Sequence, residues 1–162
     1  MTERPAPVRT RITELLGIDY PIVQAPMGWI ARSALASATT MPRCGLMWTN
    51  SVAAAAADGG VVAVLEPLNT KVDHAGYFLD HAVDAFRLVR EINSPALRVL
   101  YDIYHMQIMD GDLIATIEAN LDLISHFHVA DVPGRHEPGT GEINYANVFR
   151  RIDAAGYVGF VG

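Results

Sequence analysis

The sequence contains one cysteine, Cys44. A lone thiol cannot close an internal disulfide, so cysteine usage gives no sign of an oxidising compartment, and the expected state of Cys44 is a buried bystander. Clustered positive charge is equally scarce. Twelve Lys and Arg stand against eighteen Asp and Glu, a formal net charge of −6, and the basic residues are dispersed. Binding to a phosphate backbone needs a basic footprint, so a nucleic-acid partner is disfavoured. Long apolar runs are missing too. Arg4, Arg9 and Arg11 are not followed by an apolar stretch, and no segment approaches the roughly eighteen apolar residues of a membrane helix. The expectation is a cytoplasmic protein with no membrane partner.

What is present is a chain of 162 residues, 51% hydrophobic and 19% charged. That is the profile of a folded globular domain, not of a disordered tail. From residue 60 onward, short β-branched apolar runs alternate with longer amphipathic stretches. The runs at 61–66, 97–102, 124–130 and 157–161 predict buried parallel strands. Helices are predicted over 77–92, where Phe78, Leu79, Ala82, Ala85, Phe86 and Val89 fall at helical spacing, and over 112–121 and 145–155, with Asp112 and Asn144 as N-caps. Strands separated by crossovers of this length run parallel, which gives an α/β fold. Periodicity alone leaves a closed barrel and an open doubly wound sheet as alternatives.

Residues 1–59 read differently. A strand over 20–25 leads into Pro26, Met27 and Gly28, a helix is expected over 30–38, and residues 45–49 are a further candidate strand. The alanine-rich residues 53–57, followed by Asp58, Gly59 and Gly60, read as a helix end. A discontinuity between residues 38 and 58 divides the chain into an opening segment, 1–50, and a second segment, 51–162.

Glu66 and Asp102 close two of the expected strands, at the edge where parallel α/β folds place their ligands. On the strand over 124–130, a period of two sends His126, His128 and Ala130 to one face and Phe127 and Val129 to the other. His128 thereby joins the two acids. Two carboxylates and an imidazole form a mixed oxygen and nitrogen ligand set suited to Mn²⁺, Mg²⁺, Co²⁺ or Zn²⁺. The plainer alternative is that the acids bind loop amides and His128 is a satisfied core histidine; spacing leaves both readings open. The loop over 133–142 is rich in turn formers and charge, which suits a binding loop. Its Arg135 offers a planar fork for a carboxylate or polarised oxygens, or else a surface salt bridge with Glu137 or Glu142. His105, three residues past Asp102, is placed either to donate to a substrate oxygen or to cap a short turn.

The blocks Leu65-Glu66-Pro67-Leu68-Asn69, Tyr101-Asp102-Ile103-Tyr104-His105-Met106-Gln107, His126-Phe127-His128 and the run over 132–145 resemble hydroxypyruvate isomerases, members of the xylose-isomerase-like barrels, with ketose 3-epimerases as relatives. The resemblance covers about residues 60–162 with its blocks in family order. It implies a partial (β/α)8 TIM barrel, too short to close alone. It also implies Glu66, Asp102 and His128 as metal ligands, Glu66 as the catalytic proton carrier, and His105 and Arg135 as substrate contacts. The implied cofactor is a divalent metal (Mn²⁺, Mg²⁺ or Co²⁺), weakly held, and the implied partner is a small hydroxycarbonyl such as hydroxypyruvate or a ketose. Some hydroxypyruvate isomerases carry Gln where His128 stands, which brings this ligand set nearer the epimerases. The family's fourth ligand, a Glu following the last strand, falls just beyond Gly162.

A second resemblance covers about residues 10–38. Arg11-Ile12-Thr13-Glu14-Leu15-Leu16-Gly17-Ile18 and Tyr20-Pro21-Ile22-Val23-Gln24-Ala25-Pro26-Met27-Gly28 are similar to the first strand of nitronate monooxygenases, FMN-binding barrels. The later glycine-rich segments that hold FMN phosphate have no counterpart, so stoichiometric flavin is not expected. A fusion of two barrel fragments accounts for both resemblances. The expected product is an impaired isomerase, its open sheet edges available for self-association. The rival functions are an FMN-dependent oxidoreductase and a catalytically dead fragment.

Overall fold

The computed structural model describes residues 42–162, with side chains from Thr49 onward. The expectations for residues 20–25 and 30–38, for the flavin-like opening and for the Cys44 thiol lie outside the described residues. Helix α1 (Pro42–Asp58) absorbs the candidate strand at 45–49. Its Ala-rich second half has the highest helix propensity available, and proline is tolerated at a first helical position, where its missing N–H has no intrahelical partner. The helix stops as expected: Gly60 adopts φ +64° and the Val61 amide donates back to the Ala56 carbonyl at 3.0 Å, a left-handed stop that glycine makes at little cost.

Four parallel strands follow in the order β1 (Ala63–Leu65), β2 (Leu97–Asp102), β3 (Ile124–His128) and β4 (Phe160–Val161). Between them lie α2 (Ala82–Ile92), α3 (Ile103–Met109), α4 (Leu113–Asn120), a 3-10 turn (Leu121–Leu123) and α5 (Tyr145–Ala154). The alternation βαβαβ gives the expected parallel layer. Leu97, Val99, Tyr101 and Phe127 point into the helical layer and are essentially inaccessible. Helix α2 answers with Ala82, Ala85, Phe86 and Val89, one stripe at 3.6-residue spacing, and α5 with Tyr145, Val148 and Ile152. A row of rings runs through this core. Phe86 stacks on Tyr101 at 6.2 Å, Tyr101 meets Phe127 edge-on at 6.0 Å, and Phe127 meets Tyr157 at 4.8 Å.

The opposite face carries Val64, Arg98, Leu100, Asp102, His126 and His128, aligned by the pairings Val64↔Arg98, Leu100↔His126 and Asp102↔His128. Val64 is 42% and Phe160 78% exposed. This is the inner face of a partial (β/α)8 barrel, left open because only four strands stand among the described residues.

Several details differ from expectation: β1 and β3 are shorter than the runs 61–66 and 124–130, and α3 forms where only a short turn is expected. Helix α2 starts at Ala82, five residues late, because the Ala82 amide is taken by the Asp110 carboxylate at 2.9 Å and the preceding residues form the rim loop. Strand β4 spans two residues, since Val158 is 97% exposed and only Phe160 and Val161 pair with β3. Asp112 does not cap α4 through its side chain. It sits at φ 44°, outside the extended geometry from which a capping side chain reaches the helix amides. Asn144 does cap α5, accepting from the Asn147 amide at 3.1 Å.

After β3 the chain makes a long loop tied to one buried acid, Asp131. Its carboxylate accepts backbone N–H groups from Val132 (2.9 Å), Gly139 (2.7 Å) and Ile143 (3.0 Å). A Cβ on Gly141 would run into this carboxylate and the Val132 carbonyl, so only glycine fits there. Burial opposes ionisation, but the amides of Ile143, Gly141, Gly139 and Val132 prevail and hold the Asp131 carboxyl below its ordinary pKa. A depressed carboxylate pKa contributes stability above the unfolded value of 3.8 that disappears as pH falls through the folded value. Asp131→Ala is therefore expected to lower the thermal midpoint by several degrees at pH 7, with the gap narrowing as pH falls below the unfolded value of 3.8, as differential scanning fluorimetry across pH will read.

Candidate active site

Each group of the site is delivered by a short element ending at the carboxyl edge of the sheet. Glu66 directly follows β1, Asp102 ends β2 and His128 ends β3. The pairing Asp102↔His128 puts those two side by side. His128 Nδ1 lies 3.5 Å from Glu66 Oε1 and 3.9 Å from Asp102 Oδ2. The sequence-expected trio is thus together, with the imidazole facing both acids.

Asp102 is buried, and its two oxygens do different work. Oδ1 accepts the amides of Tyr104 (2.9 Å) and His105 (3.3 Å), capping α3. This satisfies orphan donors of the first turn and locks the carboxylate. Oδ2 is left facing the site, 3.5 Å from His105 Nε2, 3.9 Å from His128 Nδ1 and 3.9 Å from Arg135 Nη2. The cap of the short helix is Asp102, so His105 is free of the turn-capping role that its position also allowed. His105 itself is 1% exposed, and burial holds its imidazole below the ordinary pKa, the nearby Asp102 charge opposing that shift.

Arg135 comes from the Asp131-anchored loop at φ 60°. Its ion pair is with Asp102, not with Glu137 or Glu142 as the surface alternative supposed, and its guanidinium lies over the Tyr104 ring at 5.3 Å. Glu142 instead accepts from Gln107 Nε2 at 3.2 Å.

Several groups around the trio were not singled out by spacing. Asn69 is completely buried and bonds both Asp73 and His105. Asp73 accepts from the Tyr104 hydroxyl at 2.8 Å. Burial opposes its ionisation, but hydrogen bonds from Asn69 and Tyr104 keep its carboxyl below the ordinary pKa. Tyr145 donates its hydroxyl to the Ala130 carbonyl at 2.6 Å and receives the Ala130 amide at 3.2 Å, pinning the chain two residues beyond His128. Asn69, Tyr104 and Tyr145 stand inside the sequence blocks already noted, but a polar residue in a loop gives no local sign of its distant partner.

Among the described residues, two groupings bring ligand atoms within 4.8 Å of one another, Glu66, Asp102 and His105, and Asp73, His74 and His105; the trio of Glu66, Asp102 and His128 is not one of them. Both draw on His105. The first shares both acids with the expected trio, so the acids are common ground and the imidazole is the point of difference.

A parallel βα sheet with acids and an imidazole on its carboxyl rim places these groups where βα barrels carry their active sites. A sequence profile described as xylose isomerase-like TIM barrel matches residues 48–162, and the chain belongs to that family. Among curated relatives, a 2-oxo-tetronate isomerase of Cupriavidus necator is 41% identical over 108 residues, covering 67% of this chain and 41% of the relative. Hydroxypyruvate isomerase of Escherichia coli is 41% identical over 102 residues, covering 63% and 39%. Among solved structures, one titled AP endonuclease, family 2, from Brucella melitensis superposes with a TM-score of 0.70 at 41% identity, covering 74% of this chain and 46% of that one. The 3-keto-D-glucoside 4-epimerase of E. coli gives 0.67 at 28% identity, covering 87% and 49%. The chain spans about two fifths of the length of the curated relatives it matches. Among the described residues, no helix is long and apolar enough to cross a membrane.

Burial, with like charge beside it, marks the site electrostatically. Burial, then repulsion from Asp102, raises the Glu66 pKa from 4.5 to about 7, with Arg135 partly offsetting them. A folded-state pKa above the unfolded value means that the folded protein binds the proton more tightly. The protonated carboxyl's contribution is intact below pH 4.5, erodes between 4.5 and about 7 and is gone above that. The cost at pH 8 is on the order of 3 kcal/mol. In metal-free buffer, Glu66→Gln should therefore match the native chain in thermal midpoint near pH 4 and exceed it by several degrees at pH 8. A variant no more stable than the native chain at pH 8 would contradict the cost of the buried Glu66 carboxylate.

Proposed function

We propose that this chain forms one rim of a metal-dependent isomerase that moves a proton between adjacent carbons of a small hydroxycarbonyl compound, of the hydroxypyruvate or ketose kind, through an enediolate. The observation that carries the reading is the convergence of Glu66, Asp102 and His128 at the carboxyl ends of three adjacent strands.

The residues fit a divalent cation. Asp102 commits one oxygen to the backbone and leaves the other aimed at the imidazole and the second acid. Burial and then the neighbouring Asp102 charge raise the Glu66 pKa, and a bound cation would counter both. Two carboxylates and one imidazole suit Mn²⁺ or Co²⁺, with Mg²⁺ also accommodated. Such an ion would neutralise charge developing on neighbouring carbonyl and hydroxyl oxygens.

The protein groups do the rest. Glu66, held at the rim beside Asp102 and His128, is placed to take a proton from carbon and give it back to the neighbouring carbon. His105, buried against Asp102, presents a ring nitrogen toward a substrate oxygen. Arg135 holds a carboxylate or hydroxyl on the outer side, its stacking on Tyr104 fixing the plane of the fork. The family name of relatives that isomerise hydroxypyruvate or 2-oxo-tetronate agrees with such a substrate.

Proton removal needs one base, whereas full isomerisation also needs delivery to the second carbon, so exchange is the more sensitive assay. Hydroxypyruvate in D₂O with Mn²⁺ is expected to lose carbon-bound protium by NMR in the presence of this chain, faster than it isomerises. Glu66→Gln should slow that exchange by at least about 100-fold. Arg135→Lys should weaken substrate saturation more than it slows the bound-state step. Exchange that persists in Glu66→Gln, or that is absent with every divalent ion tried, would overturn the reading.

A further inference from the structure

Asn69 lies three residues past Glu66, is fully buried, and has an amide whose orientation the backbone determines. Its Oδ1 accepts from the N–H groups of Val72 (3.1 Å) and Asp73 (3.0 Å). A backbone N–H can only donate, so the acceptor end of the amide is fixed and the other end is NH₂. That NH₂ group meets Asp73 Oδ2 at 2.9 Å and His105 Nδ1 at 2.7 Å. The Asn69 backbone N–H points at the same ring nitrogen from 3.3 Å.

A ring nitrogen faced by two N–H donors has to present its lone pair. In a neutral imidazole the proton is then on the other nitrogen. That nitrogen, Nε2, lies 3.5 Å from the site-facing oxygen of Asp102. We propose that Asn69 is a positioning residue that fixes His105 as the Nε2–H tautomer, making it a hydrogen-bond donor to substrate and withholding it from metal ligation.

The inference deepens the isomerase reading and rests on it for the substrate-facing role. Its consequence for the rival grouping of Glu66, Asp102 and His105 is direct. A metal ligand needs a lone pair on the nitrogen facing the ion, and the Nε2 lone pair becomes available only if the ring proton moves to Nδ1, against the Asn69 donors. His128 is left as the imidazole that completes the trio. Asn69 also steadies the second substrate-side group, because the Asp73 that it binds holds the Tyr104 hydroxyl under Arg135.

The test reads the ring directly and needs neither metal nor substrate. Protein labelled with ¹⁵N-histidine is examined by long-range ¹H–¹⁵N correlation at neutral pH, the His105 signals being assigned by their loss in His105→Gln. In the native chain Nδ1 should be the unprotonated nitrogen and Nε2 the protonated one. Asn69→Asp keeps the side-chain shape but turns an acceptor toward Nδ1, so a proton should appear on Nδ1. A native ring protonated on Nδ1, or an Asn69→Asp ring unchanged from the native one, would overturn the inference. The native spectrum decides alone if Asn69→Asp does not fold. A failed tautomer assignment leaves the exchange assay on Glu66 untouched, and a failed exchange assay leaves the tautomer measurable, so the two claims fall separately.

Discussion

The carboxylate of Asp102 is shared between the fold and the site, and most of the local arrangement follows from that division. One oxygen caps α3 through two backbone amides, which a helix of seven residues needs because it has few internal hydrogen bonds to hold its first turn. The other oxygen cannot turn away, so it faces His105, His128 and Arg135 at 3.5–3.9 Å. The strand register then brings His128 beside it, and the helix it caps brings His105 back to it after one turn. A single side chain thus sets the geometry of three others without any of them being adjacent in sequence.

The same arrangement has a cost. Burial of Glu66, reinforced by repulsion from Asp102, raises its pKa to about 7. Arg135 relieves part of this from a loop whose own shape depends on Asp131. Stability is therefore given up at the rim and recovered in the layer behind it, where Phe86, Tyr101, Phe127 and Tyr157 pack in a continuous row. Perturbed carboxylates of this kind cluster at functional sites, though structural ion-pair networks produce them too.

The strands and helices around the core were legible because their periods are strong: 97–102 matched β2 residue for residue, and the α2 stripe fell where its apolar spacing put it. Glu66, Asp102 and His128 were legible as strand ends sharing one face. What escaped were features decided by distant partners. The start of α2 depends on Asp110, the left-handed turn at Asp112 moves its side chain away from the helix end, and the strand expected over 45–49 lost to the helix that the following alanines propagate. Asn69 lay inside a motif in plain view, but its role is defined by a contact thirty-six residues away, which no local pattern encodes.

The most direct test of the account is where a divalent ion sits. Crystals of the chain soaked in Mn²⁺ and measured at the manganese absorption edge would locate the ion by anomalous scattering, independently of any assay. The account requires a peak bounded by Glu66, the free oxygen of Asp102 and Nδ1 of His128, with His105 outside the coordination shell. A peak ligated by His105, whether with Glu66 and Asp102 or with Asp73 and His74, would contradict it.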